Sequence, residues 1–93
     1  METARGLSSQ AALDALAVAA QAVGTLDRVR IVQMLVFVAS TPELGEQSRV
    51  ADAASDLLVE VLGENGRHAR TAIGVAGLPR NSPVEIQMVC AAA

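Results

Sequence analysis

Two charged residues interrupt alternating runs near the end of the chain, Arg70 in ARTAIGVA and Glu85 in VEIQMV. A strand that buries one face has no structural need of either. Arginine offers a planar, permanently charged fork that can grip a carboxylate through two parallel hydrogen bonds. Glutamate, shielded from bulk solvent, can act as a general base on water. On one wall, the two could hold a small carboxylate and direct water at it. An ion pair across a subunit interface would use the same residues without a ligand, and on pattern alone it is the commoner arrangement.

The remaining reactive side chains point less clearly to chemistry. His68 is the only histidine and lacks the neighbouring Cys or carboxylate spacing of a metal site. It reads as a loop-capping or interface residue. Arg67 adds positive charge nearby and reads as a solvated loop residue. Asp52, Asp56 and Glu60 recur at helical spacing, which describes a solvated helix face before it describes a ligand set. Cys90 reads as a small apolar residue near a frayed terminus. Asn65 and Gly66 suit a tight turn. No phosphate loop, Ser-His-Asp set or metal motif is present.

The elements that would position these groups follow from periodicity. An Ala-rich helix is predicted from about Ser9 to Val23, capped by Ser8 or Ser9, with Leu13, Leu16, Ala20 and Val23 as its apolar stripe and Gly24 at its end. The β-branched run from Val29 to Val38 predicts a strand. Pro42 and Gly45 break it before a second helix, about Gln47 to Leu62, whose buried face is Val50, Ala53, Ala54, Leu57, Leu58, Val61 and Leu62. Two more strands follow, about Ala69–Ala76 and Val84–Val89. The order α-β-α-β-β places the chain in the α+β class.

Alternation divides the last two strands into faces. Thr71, Ile73 and Val75 oppose Arg70, Ala72 and Gly74; Val84, Ile86 and Met88 oppose Glu85 and Gln87. Read as a hairpin with its bulky sets against the helices, these strands would place Arg70, Ala72, Gly74, Glu85 and Gln87 together on the helix-free face. Pairing Val75 near Val84 would still separate Arg70 from Glu85 by roughly 13 Å along the strands. The first strand is apolar on both faces over its second half. Since two helices cover only one face of a small sheet, a second copy of the chain is the expected cover for the other.

Composition narrows the function classes. The chain has 93 residues, enough for one domain with a modest core. Of these, 52% are hydrophobic and 1% aromatic, and the net charge is −3 with no lysine. An acidic chain without stacking rings argues against nucleic-acid binding. The apolar run Ile31–Ala39 is too short to span a bilayer. With one cysteine and no secretory signal, a cytoplasmic location is expected.

The stretch GENGRHARTAIGVAGLPRNSPVEIQ resembles the C-terminal signature of the RidA/YjgF family, also labelled endoribonuclease L-PSP. Its arginine followed by a small hydroxyl residue, its LP turn and the closing VE-I carry the match. LDRV entering a hydrophobic strand and SDLLVEVLGENGRHAR extend the resemblance over roughly Leu7 to Val89, within a subgroup that carries GxHAR. The resemblance implies a chorismate-mutase-like fold, with helices on one face of the sheet, assembled as a homotrimeric barrel. Small carboxylates would bind in its intersubunit clefts. It implies hydrolysis of reactive 2-imino and enamine acids to 2-keto acids and ammonia, without a cofactor. On this likeness Arg70 would bind the substrate carboxylate and Glu85 would attend the attacking water, with Thr71 beside the arginine. Ala72 stands where a cysteine with a substrate-facing backbone is frequent.

Family members usually carry strands before the first helix that add a tyrosine and a Ser-Gly pair to the cleft. Here the first helix is expected to begin within ten residues and the chain has no tyrosine, so a single domain over residues 1–93 without those strands is expected, whether as a naturally shortened member, a fragment or a chain whose start was placed too late. A non-catalytic, carboxylate-binding or regulatory trimer is the alternative, and an endoribonuclease ranks behind both.

Overall fold

A computed structural model describes residues 1–93. Helix α1 spans Glu2–Val23, strand β1 Val29–Ala39, helix α2 Gln47–Leu62, strand β2 Ala69–Val75 and strand β3 Val84–Ala92. Short 3₁₀ turns occupy Leu26–Arg28, Gly63–Gly66 and Pro79–Asn81. The α+β order read from the sequence stands, with both helices on one face of a three-stranded sheet.

Helix α2 has the predicted limits. A steady apolar period defines it, and Gly63, at φ 63°, ends it in a conformation that a side chain would resist. Its buried residues are Val50, Ala51, Ala54 and Leu58. Helix α1 begins seven residues earlier than predicted, and neither Ser8 nor Ser9 caps it. Ser8 is buried within the helix, and the Ser9 hydroxyl donates to the Ala53 carbonyl at 3.2 Å. Leu13 faces solvent, 45% exposed, while Ser8, Ala12 and Leu16 form the buried line. An alanine-rich helix has little contrast between its faces, so period alone added Leu13 to a stripe whose other members hold: Leu16 is buried, and Ala20 and Val23 pack against the core. Small residues on both helices let α1 and α2 approach closely.

The sheet order is β2-β1-β3, with β1 parallel to β2 and antiparallel to β3. The expected hairpin therefore does not form, since β1 lies between its two arms. The physical reason is the apolar content of β1, which favours a central place with a neighbour on each edge. Helix α2 supplies the crossover that a parallel β1–β2 pair requires.

A bulge at Val32 separates the Ile31–Cys90 and Gln33–Val89 pairs. Val29 and Ile31 are buried before it, Met34, Val36 and Val38 after it. The switch from odd to even positions explains part of the two-sided pattern in β1. Leu35 and Phe37 account for the rest, half-buried on the helix-free face. The core gathers the buried residues of β1 and α2 with Ala12, Leu16 and Val84.

Candidate functional site

Register fixes where each candidate residue lies. Arg70 pairs with Met34, Ala72 with Val36 and Gly74 with Val38, all buried β1 residues beneath the helices. The face expected for Arg70, Ala72 and Gly74 is thus reversed: they lie under α2, and Thr71 and Ile73 lie on the open face. The small residues of β2 make room for side chains of the crossover helix and of the loop before it. A Cβ at Gly74 would lie 2.6 Å from Gln47 Nε2 and 2.8 Å from Ser40 Oγ.

Glu85 pairs with Phe37 and Gln87 with Leu35, both on the helix-free face as predicted. Arg70 and Glu85 therefore occupy opposite faces on opposite edge strands. Two strand spacings and three residues of offset separate their backbones by roughly 14 Å. One chain does not bring them together.

What surrounds Arg70 instead comes from α2 and the turn after it. Asp52, Ser55 and Val59 share one face of α2 through i, i+3 and i+7 spacing. Arg70 Nη1 donates to Asp52 Oδ1 at 2.7 Å and to Ser55 Oγ at 3.3 Å. The arginine side chain is 24% exposed and that of Asp52 49%, so solvent screens the pair and its stabilising worth is small. Both bonds use Nη1. The Nε and Nη2 N–H groups remain for a second planar partner.

The 3₁₀ turn Gly63–Gly66 brings the chain back against α2. A Cβ on buried Gly66 would strike the α2 backbone at Leu58, which explains glycine there. His68 then sits with Nε2 3.0 Å from Ser55 Oγ and Nδ1 2.6 Å from the Gly66 carbonyl. The loop-capping role expected of His68 is present in that second bond. Ser55, Val59, Arg67, His68 and Arg70 line an open cleft of about 260 Å³. Arg67 is also paired with Glu64 at 3.1 Å on the surface.

Sequence reasoning missed Asp52 and Ser55. The acidic row expected on a solvated face of α2 departs from that at Asp52, which is half exposed but accepts from Arg70. The available signal was its spacing with Ser55 and Val59, on the side of α2 flanking the buried face. Cys90 lies in an ordered strand, not a frayed end: β3 runs to Ala92, and the Ala93 amide donates to the Arg28 carbonyl at 2.6 Å. Burial pushes its thiol above the ordinary value. No helix is long and apolar enough to cross a membrane.

Two helices over one face of a β2-β1-β3 sheet, with an arginine cleft between α2 and β2, define the class of protein. A model of the endoribonuclease L-PSP family matches residues 6–92, and the chain belongs to that family, the RidA/YjgF proteins. Protein TCP17 of Trypanosoma cruzi is 57% identical over 67 residues, which are 70% of this chain and 42% of that protein. The crystal structure of Atu1372 from Agrobacterium tumefaciens, whose function is unknown, matches with a TM-score of 0.93 at 38% identity. That match covers 99% of this chain and 60% of the other. A protein from Shewanella oneidensis described as a candidate endoribonuclease gives a TM-score of 0.86 at 31% identity, over 91% of this chain and 57% of its own. The chain spans at most 60% of the length of each of these three relatives.

Proposed function

We propose that the protein hydrolyses reactive 2-imino and enamine acids to 2-keto acids and ammonia, with Arg70 holding the substrate carboxylate. The observation that carries this reading is the way Arg70 is held. Asp52 and Ser55 engage only Nη1, leaving the Nε/Nη2 edge for a carboxylate in a cleft large enough for a small acid. Strand β2 is a sheet edge, so alternate backbone groups along Thr71 and Ala72 have no strand partner and can serve the same ligand.

Assembly belongs to this reading. Leu35, Phe37, Ile73 and Val89 give the helix-free face an apolar character suited to a second copy, and a homotrimer would cover it. Glu85 can meet Arg70 only from a neighbouring copy. That separation favours a second reading, in which the same arginine fork binds a small carboxylate without turning it over. RNA cleavage is the weakest reading, because the net charge of −3 provides no general attraction for phosphate.

Freshly generated 2-iminobutyrate, followed by semicarbazide trapping, tests the proposal with wild type and Arg70→Ala side by side. Faster imine loss with wild type alone is the expected result. Equal rates for wild type, variant and buffer would sink the deaminase reading. Tight, Arg70-dependent binding of 2-ketobutyrate without turnover would establish the second reading in its place.

A further inference from the structure

Imine hydrolysis moves protons twice: water releases one on adding to carbon, and the departing nitrogen takes one. Arg70 can do neither, because a guanidinium keeps its protons at working pH. Glu85 of the same chain lies on the other face, three register positions along and two strands away. Beside Arg70 in the chain, the side chain with one ring nitrogen that can accept a proton and another that can donate one is His68, linked to the arginine through Ser55. We infer that Ser55 and His68 are the proton relay of the Arg70 cleft. Ser55 faces the reacting atoms as the catalytic residue, and His68 is a positioning residue that acts through it. The inference rests on the deaminase reading of Arg70.

Donor and acceptor chemistry sets the direction of each bond. The Gly66 carbonyl can only accept, so His68 Nδ1 carries the hydrogen across their 2.6 Å contact. The neutral ring then presents the lone pair of Nε2, and the Ser55 hydroxyl donates to it over 3.0 Å. Arg70 Nη1 donates to the same hydroxyl oxygen at 3.3 Å. A nucleophile or proton carrier, a base within reach and a third group orienting the base form the arrangement expected of an activated hydroxyl. Here the third group is a backbone carbonyl held on a turn that tolerates no side chain.

The relay can serve both halves of the reaction of a protonated imine. As water adds, the new C–O bond forms and the C=N π pair withdraws to nitrogen. The proton lost from water passes to Ser55 Oγ as the hydroxyl proton passes to Nε2, giving a neutral carbinolamine and an imidazolium. In the second half Nε2 returns a proton through Oγ to the amino nitrogen. The C–N bond breaks, ammonia leaves with the electron pair, and the former water oxygen becomes the keto oxygen, shedding its proton to solvent. Atoms and charge balance with water as the only co-substrate.

The charged groups around the pair are Asp52 from α2, Arg70 from β2 and Arg67 from the preceding loop, with Glu64 bound to Arg67. The test measures imine hydrolysis, 2-ketobutyrate affinity and thermal stability in wild type, Ser55→Ala, Ser55→Thr and His68→Gln. Removing a general acid–base group is expected to lower kcat by about 100-fold in Ser55→Ala and His68→Gln. The 2-ketobutyrate Kd should stay within about threefold of wild type, because Arg70 is intact. Ser55→Thr should recover most of the rate, and the loss in His68→Gln should fall on kcat while KM stays within about threefold of wild type. Unchanged kcat in both variants, or a loss matched by equal loss of affinity, would overturn the relay. So would a rate that depends on Glu85 but not on His68. An inactive wild type removes the deaminase reading itself, whereas an active wild type with indifferent variants removes only the relay.

Discussion

The two faces of β2 place opposite demands on one seven-residue strand. Beneath α2 lie Arg70, Ala72 and Gly74, the last two small enough for the crossover helix and the first tied to it by Asp52 and Ser55. On the other face, Thr71, Ile73 and Val75 stand beside Leu35 and Phe37 without any cover from the chain. Bulk faces outward and smallness inward, the reverse of a simple core strand. The difference teaches that an edge strand under a crossover helix is shaped by backbone approach, while its bulky residues serve an assembly.

The comparison breaks most directly at one residue from each side. Leu58 is fully buried on α2, and Leu58→Ala should cost about 2–5 kcal/mol through lost transfer energy and a residual cavity. Ile73 is 37% exposed on the open face, and Ile73→Ala in dilute protein should cost less than about 1 kcal/mol. Chemical denaturation at several protein concentrations separates the cases. A concentration-dependent loss at Ile73 that rivals the loss at Leu58 would mean that another copy covers the open face.

The next test contrasts two glycines. At Gly66 a Cβ would lie 2.6 Å from the Leu58 carbonyl carbon and 2.9 Å from the Val59 nitrogen, atoms of a helix backbone that cannot turn aside. Gly66→Ala should therefore cost about 1–3 kcal/mol, as overpacking does. It should also disturb the carbonyl that anchors His68. Gly74→Ala meets first Gln47 Nε2 and Ser40 Oγ, the ends of side chains that can rotate away. Its cost should stay near that of one or two weakened hydrogen bonds, about 1 kcal/mol, as Gln47 gives up the Leu44 carbonyl at 2.8 Å and Ser40 the Val38 carbonyl at 3.3 Å. Thermal melts of both variants suffice, and equal losses would show that the Gly74 neighbours are as fixed as a helix backbone.

What was legible in the sequence follows the same physical line. Helix α2 was readable to its limits because its apolar period, its breakers and its terminal Gly63 agree. The faces of β3 were readable because Val84, Ile86 and Met88 pair with buried β1 residues as alternation implies. The faces of β2 were not, because alternation divides a strand into two sets without saying which set a helix covers. The partner of β2 was equally hidden: a short turn suggests a hairpin, but strand order depends on which strand gains most from two neighbours. Asp52 and Ser55 needed the crossover to be known before their helix face could be matched to Arg70.

The smallest expected effect concerns charge on the covered face. Cys90 pairs with Ile31 and lines, with Met88, a shallow apolar groove against Ala15 and Ala19 of α1. Burial pushes its thiol above the ordinary value, so the folded chain favours the neutral form. Below the unfolded-state pKa both states hold the proton and the full contribution is present. As pH rises from there through the folded-state value, the unfolded chain ionises more readily and stability declines. Cys90→Ala removes that decline while losing a little apolar burial. Wild type should therefore melt slightly above the variant at pH 7, and the gap should shrink or reverse above about pH 9. A gap constant from neutral to alkaline pH would mean that the thiol ionises equally in both states. The covered face would then be open to solvent along α1, and the contrast between the two faces would hold only at the α2 side.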